Sequence, residues 1–278
     1  MRLLFSESRP DYEGYVFPYA VWGFLEPGER PRDALAEGFL PSLPDLSRFY
    51  LCRQVRVGLR GFSPNSENRR ILRKGEGIGS DLLEIGAFDA TDARIDSCHR
   101  CATRRWSSPP ARSRIERIFA SPITSHVLVF SDPDGAECGW VTLLIDGPAA
   151  FYSNAFYRTD HPVRDLGLFL MTQTVRTLSQ AGLEHLHLGT CYSRSALYKT
   201  AFPGVDFFDG TRWNKDLAAL KYQLSRQDGD QPGHLLEDES FLGAFAPQGL
   251  QELSAASPFR TIPVPRVPAS IPDPAPPG

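Results

Sequence analysis

The run of regular elements between residues 125 and 224 constrains the fold of this chain more than any other feature. It contains three apolar stretches rich in β-branched and aromatic residues, "SHVLVF", "CGWVTLLI" and "AFYSNAFY", separated by the short turns "SDPDGAE" and "DGPA". Stretches of this kind joined by Asp-Gly turns predict three antiparallel strands. In the segment "LGLFLMTQTVRTLSQAG" apolar residues then recur at helical spacing, and the final glycine predicts the end of a long helix.

The remainder of this region continues the alternation of strands and helices. "LEHLHL" predicts a fourth strand, "SRSALYKTAF" a short helix, "VDFF" and "TRW" short strands, and "NKDLAALKYQLSR" a final helix. The order β-β-β-α-β-α-β-α therefore predicts a mixed fold of the α+β class.

Composition and cysteine content indicate a reduced, globular protein. Hydrophobic residues make up 41% of the chain and charged residues 23%, which are globular values. No run of about 18 apolar residues occurs, and the N-terminal "MRLLFSESRPDYEGY" lacks the apolar core of a signal peptide. The five cysteines are an odd number spread over a long chain, which favours reduced thiols. We therefore predict no membrane partner and expect the protein in the cytoplasm.

Basic residues are clustered although the net charge is only -3. Seven basic residues against one acid lie within residues 53–74, and six arginines against one acid lie within residues 100–117. Clustered arginine in a near-neutral protein suits a local contact with a polyanion such as RNA phosphate. A solvated, salt-bridged face is the alternative interpretation.

The first cluster contains a predicted short helix. Ser63 or Asn65 can cap its start, and Gly75 can end it. The candidate nucleic-acid contacts on this helix are Arg69, Arg70, Arg73 and Lys74.

Three regions are predicted along the chain. Residues 1–120 form a basic N-terminal subdomain that is mostly irregular, apart from a half-buried strand with a basic outer face over residues 50–59. Residues 121–226 form the catalytic core. Residues 227–278 form a polar tail that is expected to be disordered at its end, because nine prolines occur in the last 32 residues.

Two spaced blocks of sequence resemble one known family. "RVGLRGFSPNSENRRILRK" resembles the basic N-terminal motif of the arginyl-tRNA–protein transferases and the related leucyl-tRNA–protein transferases. "FYRTDHPVRDLGLFLMTQTVRTLSQAGLEHLHLGTCYSRSALYKTAF" resembles their C-terminal core. The matching residues are Phe62, Pro64, Asn65, Glu67, Arg69, Arg70, Asp160, Leu166, Gly167, Gly182, Leu188, Gly189, Tyr198, Lys199, Phe202 and Trp213.

The resemblance implies a fold, an activity and partners. The fold is that of the GNAT acyltransferases, and the activity moves an aminoacyl group from a charged tRNA to the N-terminal amine of a protein or peptide. The implied partners are aminoacyl-tRNA and that acceptor, and no cofactor is implied. The alternatives are a coenzyme A-dependent N-acyltransferase and a non-catalytic RNA- or peptide-binding module on the same fold.

The resemblance also places a cleft after the strand at residues 183–188. The predicted catalytic residues are Tyr198, Lys199 and Tyr192. The predicted substrate-binding residues are Asp165, Arg164, Gly167, Thr190, Ser193 and Trp213. In this scheme Tyr198 donates to the acyl oxygen or the leaving 3′ oxygen, and Lys199 meets a tRNA phosphate or shifts the pKa of a neighbour. A core aromatic with a satisfied hydroxyl is the alternative for Tyr198.

The start of the long helix distinguishes the first two functional hypotheses. Coenzyme A-dependent relatives carry Gln/Arg-x-x-Gly-x-Gly/Ala there, where backbone amides hold pyrophosphate. Here Arg164 and Gly167 keep the first half, but Phe169 occupies the second small position and Asp165 adds a negative charge. These two residues argue against coenzyme A.

The cysteines offer only a fragment of a metal site. Cys98 and Cys101 form half of a zinc motif, and Cys138, His126 or His161 would have to complete it. We expect instead two incidental thiols in an arginine-rich loop and no metal.

Overall fold

The computed structural model describes residues 1–7, 13, 18–227 and 235–259. The strands are β1 (Arg2–Glu7), β2 (Tyr19–Phe24), β3 (Phe39–Pro41), β4 (Phe49–Leu51), β5 (Gln54–Gly58), β6 (Gly79–Glu84), β7 (His126–Ser131), β8 (Glu137–Asp146), β9 (Ala149–Tyr157), β10 (His185–Thr190), β11 (Val205–Phe208) and β12 (Trp213–Asn214). The helices are α1 (Pro31–Ala36), α2 (Ser66–Lys74), α3 (Asp92–Arg105), α4 (Arg112–Ala120), α5 (Leu166–Gln180), α6 (Leu217–Gln227), α7 (Glu239–Phe245) and α8 (Leu250–Ala256). None of the helices within the described residues is long and apolar enough to cross a bilayer.

The strands form a small sheet and a large one. The small sheet has the order β1-β2-β4-β3, and the large sheet has the order β12-β11-β5-β10-β9-β8-β7-β6. Neighbouring strands of the large sheet run antiparallel except for β9 and β10, which run parallel. A single parallel pair inside an antiparallel sheet requires a crossover, and α5 supplies it.

Helices cover both faces of the large sheet. In β7, Leu128 and Phe130 pack in the cluster that contains α5, whereas Val127 and Val129 pack in a second cluster with α3 and α4. Because alternate residues of a strand point to opposite faces, this division places α5 on one face and α3 and α4 on the other.

The predicted α+β class is confirmed, and so is the predicted order of elements over residues 125–224. The helix predicted between Asn65 and Gly75 is also confirmed as α2, since the Asn65 side chain accepts from the backbone N–H of Asn68. One element differs in type. The segment predicted as a short helix after β10 is a 3-10 helix over Arg194–Thr200, the tighter form that short helical segments often adopt.

The expectation that residues 1–120 are mostly irregular is wrong. Six strands and four helices lie there, and β5 and β6 hydrogen-bond into the large sheet beside strands of the predicted catalytic core. The domain boundary predicted at residue 120 stays a prediction. The large sheet contains strands from both sides of this boundary.

The predicted strand over residues 50–59 is also corrected. The chain leaves the small sheet after β4 and enters the large sheet as β5. The single predicted strand is therefore two short strands, each in a different sheet. β5 lies between β10 and β11, and its predicted outer face is covered, because the Arg56 side chain is only 14% exposed. Arg56, predicted on such a face, instead forms two hydrogen bonds with Asp206 and stacks over the Trp213 ring.

Two short helices occupy the predicted polar tail. α7 and α8 lie within residues 235–259, and Phe241 joins the main core. The disorder predicted for the proline-rich end concerns residues 260–278, which lie outside the described residues.

Candidate active site

A cleft opens where the parallel strands β9 and β10 separate. The two strands pair only at their beginnings, from His185 opposite Ala149 to His187 opposite Phe151. Beyond this point β9 continues to Tyr157, and β10 follows β5 through an irregularity in register at Leu188. The residues that follow the last pair line a cavity of about 290 Å³, which we call the central cleft.

Two cationic side chains are held at the edges of the central cleft. The Lys199 Nζ donates to the Thr190 carbonyl oxygen at 2.8 Å, at the end of β10. The Arg105 guanidinium donates to the Ala155 carbonyl oxygen at 3.1 Å, on β9, and lies 4.6 Å from the centre of the Tyr157 ring. Each of the two separating strands therefore has a positive charge anchored to one of its carbonyl groups.

Burial changes the proton affinities of the two predicted catalytic groups in the cleft. Burial lowers the pKa of the Lys199 amine, so its charged form is less stable there than in water. Burial also raises the pKa of the Tyr198 phenol, although the nearby Arg105 charge opposes this shift. Because Tyr198 is still 43% exposed, its protonated hydroxyl is accessible to a ligand as a donor.

A larger cavity of about 610 Å³, the α5 arm, adjoins one side of the central cleft. The two cavities share Arg105 and Tyr198, and the α5 arm extends to Arg164, Asp165 and Gly167 at the start of α5. The structure therefore brings these three predicted substrate-binding residues to the same groove as the predicted catalytic Tyr198 and Lys199.

Close packing explains the glycine at the start of α5. A Cβ atom on Gly167 would overlap the Tyr157 hydroxyl group and ring. Gly167 thus allows the end of β9 to approach the first turn of α5, where backbone N–H groups without helical partners can bind an anion.

Asp165 is neutralised by α2. Its carboxylate accepts from the Lys74 Nζ at 2.5 Å, and this interaction lowers the pKa of the carboxyl group. Asp165 also has a left-handed backbone conformation, with φ 65°, at the N-cap of α5. This contact joins Lys74, a predicted tRNA-binding residue, to Asp165, a predicted substrate-binding residue.

The bulky residue that argues against coenzyme A has a packing role. Phe169 is buried, and its ring lies where a Cβ on Gly75 would be. The side chain that replaces the second small residue of the pyrophosphate motif therefore packs α5 against the end of α2.

A third cavity, the α4 arm, extends from the other side of the central cleft and has a volume of about 610 Å³. It shares Trp106, Phe151, Ser153 and Asn154 with the central cleft. Its far wall carries Arg114, Arg117 and apolar residues. We call the three adjoining cavities the groove.

The groove is cationic in a chain with a net negative charge. Its described basic lining residues are Arg105, Arg114, Arg117, Arg158, Arg164 and Lys199, of which Arg158 pairs with Asp132 and Asp160 outside the lining. Among the described residues of this lining, Asp165 is the single carboxylate, and Lys74 compensates its charge. A groove of this charge attracts anionic ligands.

Three predicted site residues lie outside the lining of the groove. The Tyr192 hydroxyl accepts from the Arg53 backbone N–H at 2.8 Å. The hydroxyl of Ser193 hydrogen-bonds that of Ser195, and the Trp213 indole N–H donates to the Ala36 carbonyl oxygen. Their roles in the site stay predictions, and each already has a partner in the fold.

The remaining predicted tRNA contacts form an exposed face of α2. Arg69 donates to the Pro64 carbonyl oxygen, and Arg70 is paired with Glu67. Among the described residues, no hydrogen bond or ion pair engages the Arg73 guanidinium. This face carries basic side chains near the α5 arm, because Lys74 connects α2 with the start of α5.

The cysteine pair Cys98 and Cys101 lies on α3, so its assignment to a loop is wrong. Both thiols are buried, and burial raises the pKa of each. The spacing of three places both on the apolar face of the helix.

A different set of potential metal ligands meets near the β7–β8 turn. The ligand atoms of Asp132, Cys138 and His161 lie within 4.8 Å of one another. The His161 Nδ1 accepts from the Val163 backbone N–H, so its Nε2 carries the proton and donates to Asp132 at 2.8 Å. These two hydrogen bonds hold the loop before α5 against Asp132, which follows β7.

Several groove residues were not singled out from the sequence. Arg105, Arg114 and Arg117 belong to an arginine-rich segment whose local pattern does not distinguish them from their neighbours. Tyr157 and Asn154 lie on a strand whose apolar pattern predicts only burial. Their proximity arises from the separation of β9 and β10, which no local signal encodes.

Comparison with known proteins places the chain among related sequences. No family model matches it. It is 28% identical over 168 residues to the aspartate/glutamate leucyltransferase of Chromobacterium violaceum, with 58% of this chain and 68% of that protein covered. It is 25% identical over 217 residues to the aspartate/glutamate leucyltransferase of Stenotrophomonas maltophilia strain K279a, with 72% and 80% covered.

Solved structures show weaker likeness. The structure of L-PGS from Bacillus licheniformis has a TM-score of 0.40 at 10% identity, covering 50% of this chain and 44% of that one. A GCN5-related N-acetyltransferase from Sphaerobacter thermophilus has a TM-score of 0.35 at 14% identity, covering 63% and 53%. The family resemblance carried by the sequence motifs rests on the curated relatives and is confirmed by them: this chain is a homologue of the aspartate/glutamate leucyltransferases, which are aminoacyl-tRNA–protein transferases.

Proposed function

We propose that this protein transfers an amino acid from aminoacyl-tRNA to the N-terminal amine of a protein or peptide. The observation that carries the proposal is the cationic groove, which is continuous from the start of α5 to α4 and has no uncompensated carboxylate among its described lining residues. Such a groove suits the 3′ end of an RNA and excludes a protonated amine, which is the unreactive form of the acceptor.

The reaction is a direct aminolysis of the ester. The neutral acceptor amine attacks the ester carbonyl carbon, the C–N bond forms, and the bond to the 3′ oxygen of the tRNA breaks. One amine proton ends on that oxygen. We propose that the Tyr198 hydroxyl relays this proton: it donates its own proton to the leaving 3′ oxygen and takes up the one that the attacking amine loses, since burial favours the protonated phenol.

Positive charge supports the negative charge that develops on the carbonyl oxygen. Lys199 is held in the central cleft by the Thr190 carbonyl, and Arg105 is held opposite by Ala155. Side chains fixed before the substrate arrives lose little free energy to reorganisation when the oxyanion forms. We propose Lys199 as the principal oxyanion-stabilising residue.

The names of the relatives indicate the finer specificity. They are leucyltransferases that act on aspartate or glutamate, and we propose the same donor and acceptor classes here. Arginine remains the alternative donor, because the motifs also resemble the arginyl-tRNA–protein transferases. We further propose that the reaction occurs in the cytoplasm, where charged tRNA is made, and that the added residue marks the acceptor as an N-degron.

A transfer assay tests the proposal. The purified protein is incubated with a pool of tRNAs charged with radiolabelled amino acids and with peptides that differ in their first residue. We expect label to enter a peptide, and we expect Lys199→Met to reduce kcat/KM by about 100-fold, as the loss of one oxyanion donor does. Arg2→Gln, on the exposed edge strand β1, is the matched control and should leave the rate unchanged.

Two outcomes would overturn the proposed function. Binding of charged tRNA without transfer to any peptide would leave an RNA-binding module. Acetylation of the peptides from acetyl-coenzyme A, with no use of tRNA, would instead assign the groove to an ordinary N-acyltransferase.

A further inference from the structure

The α4 arm contains two arginines that the fold itself does not use. Among the described residues, no ion pair or side-chain hydrogen bond engages Arg114 or Arg117, and no carboxylate lines this arm. The third arginine of α4 behaves differently, because Arg112 pairs with Asp92, Asp96 and Glu116. One arginine of α4 therefore holds α3 and α4 together, and the other two face the groove without partners.

The spacing of these two residues directs them to one ligand. Arg114 and Arg117 are three apart on α4 and thus lie on the same face of the helix. Both are exposed, and both line the α4 arm together with Trp106 and Asn154. Two guanidinium groups on one face provide the planar donors that recognise a carboxylate.

The α5 arm, at the opposite end of the groove, has features suited to binding RNA. The α5 arm meets the start of α5, and Lys74 links this start to the basic face of α2. A helix start followed by a basic surface fits a chain of phosphates. If the donor tRNA enters by the α5 arm, its ester reaches the central cleft, and the α4 arm is left for the acceptor.

We infer that Arg114 and Arg117 determine acceptor specificity by binding the side-chain carboxylate of the acceptor's first residue in the α4 arm. This inference rests on the proposed function. The apolar walls formed by Trp106, Ile118 and Phe151 contact the aliphatic part of that residue. Its amine then points to the central cleft, between Lys199 and Arg105.

Matched peptides test this assignment. The peptides begin with Asp or with Asn, and with Glu or with Gln, so that each pair differs only in the side-chain charge. In the wild-type protein the acidic member has the higher kcat/KM. In the Arg114→Gln/Arg117→Gln double variant we expect this preference to fall by about 10-fold or more, chiefly through KM, because the ion pair is lost.

Two further measurements exclude a merely structural effect. The neutral peptides should keep their kcat/KM in the double variant, and the affinity for charged tRNA should not change. A charge reversal, Arg117→Glu, should lower the rate with Asp peptides further and raise it with peptides that begin with Lys. Arg2→Gln should alter none of these values, and circular dichroism melting should show the double variant folded.

The outcomes separate this inference from the proposed function. An active double variant that retains the full preference for acidic peptides overturns the assignment of Arg114 and Arg117 alone. An equal loss of rate with acidic and neutral peptides does the same, since it assigns the arginines to something other than charge recognition. Absence of transfer by the wild-type protein to every peptide overturns the proposed function and this inference with it.

Discussion

His187 is a buried residue that contacts two distant parts of the chain, at Gln54 and Trp213. It is 1% exposed on β10, and its Nδ1–H donates to the Gln54 Oε1 on β5 at 2.9 Å. Its ring also packs edge-on against Trp213. Burial, assisted by the nearby Arg56 charge, holds the pKa of this histidine well below its usual range. The folded protein therefore keeps His187 neutral, while the unfolded chain takes up a proton below pH ~6.5.

The sign of this difference gives a pH prediction. The contribution of neutral His187 to stability is fully present above pH ~6.5 and is lost as the pH falls below that value. The free energy of unfolding should fall by up to about 1.4 kcal/mol per pH unit from this one group. His187→Gln should flatten the dependence between pH 7 and pH 5 in urea titrations, whatever its effect on absolute stability. His185→Gln, a half-buried control on the same strand, should flatten it less; equal slopes in all three proteins would contradict the prediction.

The contact between α2 and α5 shows how two elements carry the candidate site together. Gly75 ends α2, and the Phe169 ring of α5 fills the space beside it. The preceding residue, Lys74, pairs with Asp165 at the start of α5. The packing of these two helices thus sets the position of the basic face of α2 relative to the α5 arm.

Gly75→Ala tests this packing. The backbone at Gly75 has φ -100° and accepts alanine, so the clash with Phe169 is the main effect. We expect a loss of about 1–3 kcal/mol in the free energy of unfolding, typical of overpacking. Gly86→Ala is the matched control, because nothing lies within 4 Å of its added Cβ, and it should change little. Adding Phe169→Leu should recover part of the loss, and fully additive effects would argue against direct contact.

Positive charges are concentrated on one part of the molecular surface. Its net charge is -3, yet the groove and the exposed face of α2 are cationic and adjoin through Lys74 and Asp165. Long-range attraction of an RNA to this surface requires only the local charge, since salt screens the more distant acidic residues. The affinity for tRNA should therefore depend strongly on salt.

Arg73→Gln tests this surface without disturbing an ion pair of the described fold. If Arg73 contacts one phosphate, the slope of log K against log salt should decrease in magnitude by about 0.7–0.9. Melting temperature should be unchanged, because the side chain is exposed. Filter-binding or fluorescence titrations at several salt concentrations measure the slope, and Arg2→Gln should leave it as in the wild type. An unchanged slope for Arg73→Gln would place the RNA elsewhere.

The sequence was most informative where the structure is local. Hydrophobic periodicity located β7, β8, β9, α5 and β10, because strands and helices impose their own repeat on the chain. The caps at Asn65 and Gly75 bounded α2 for the same reason. The spaced motifs revealed the resemblance to the leucyltransferases, since they depend only on residue order.

Other features became visible only in the tertiary structure. The entry of β5 beside β10, the separation of β9 from β10, and the anchoring of Arg105 and Lys199 on opposite edges all join residues distant in sequence. A local pattern records which face of an element is buried and cannot record which other element covers it. The sequence by itself thus determined the elements over residues 125–224, the class of fold and the resemblance to the leucyltransferases. The tertiary structure decided that these elements leave a cationic groove. The groove exists because β9 pairs with β10 at one end and separates from it at the other, and this arrangement arises only when the sheet assembles.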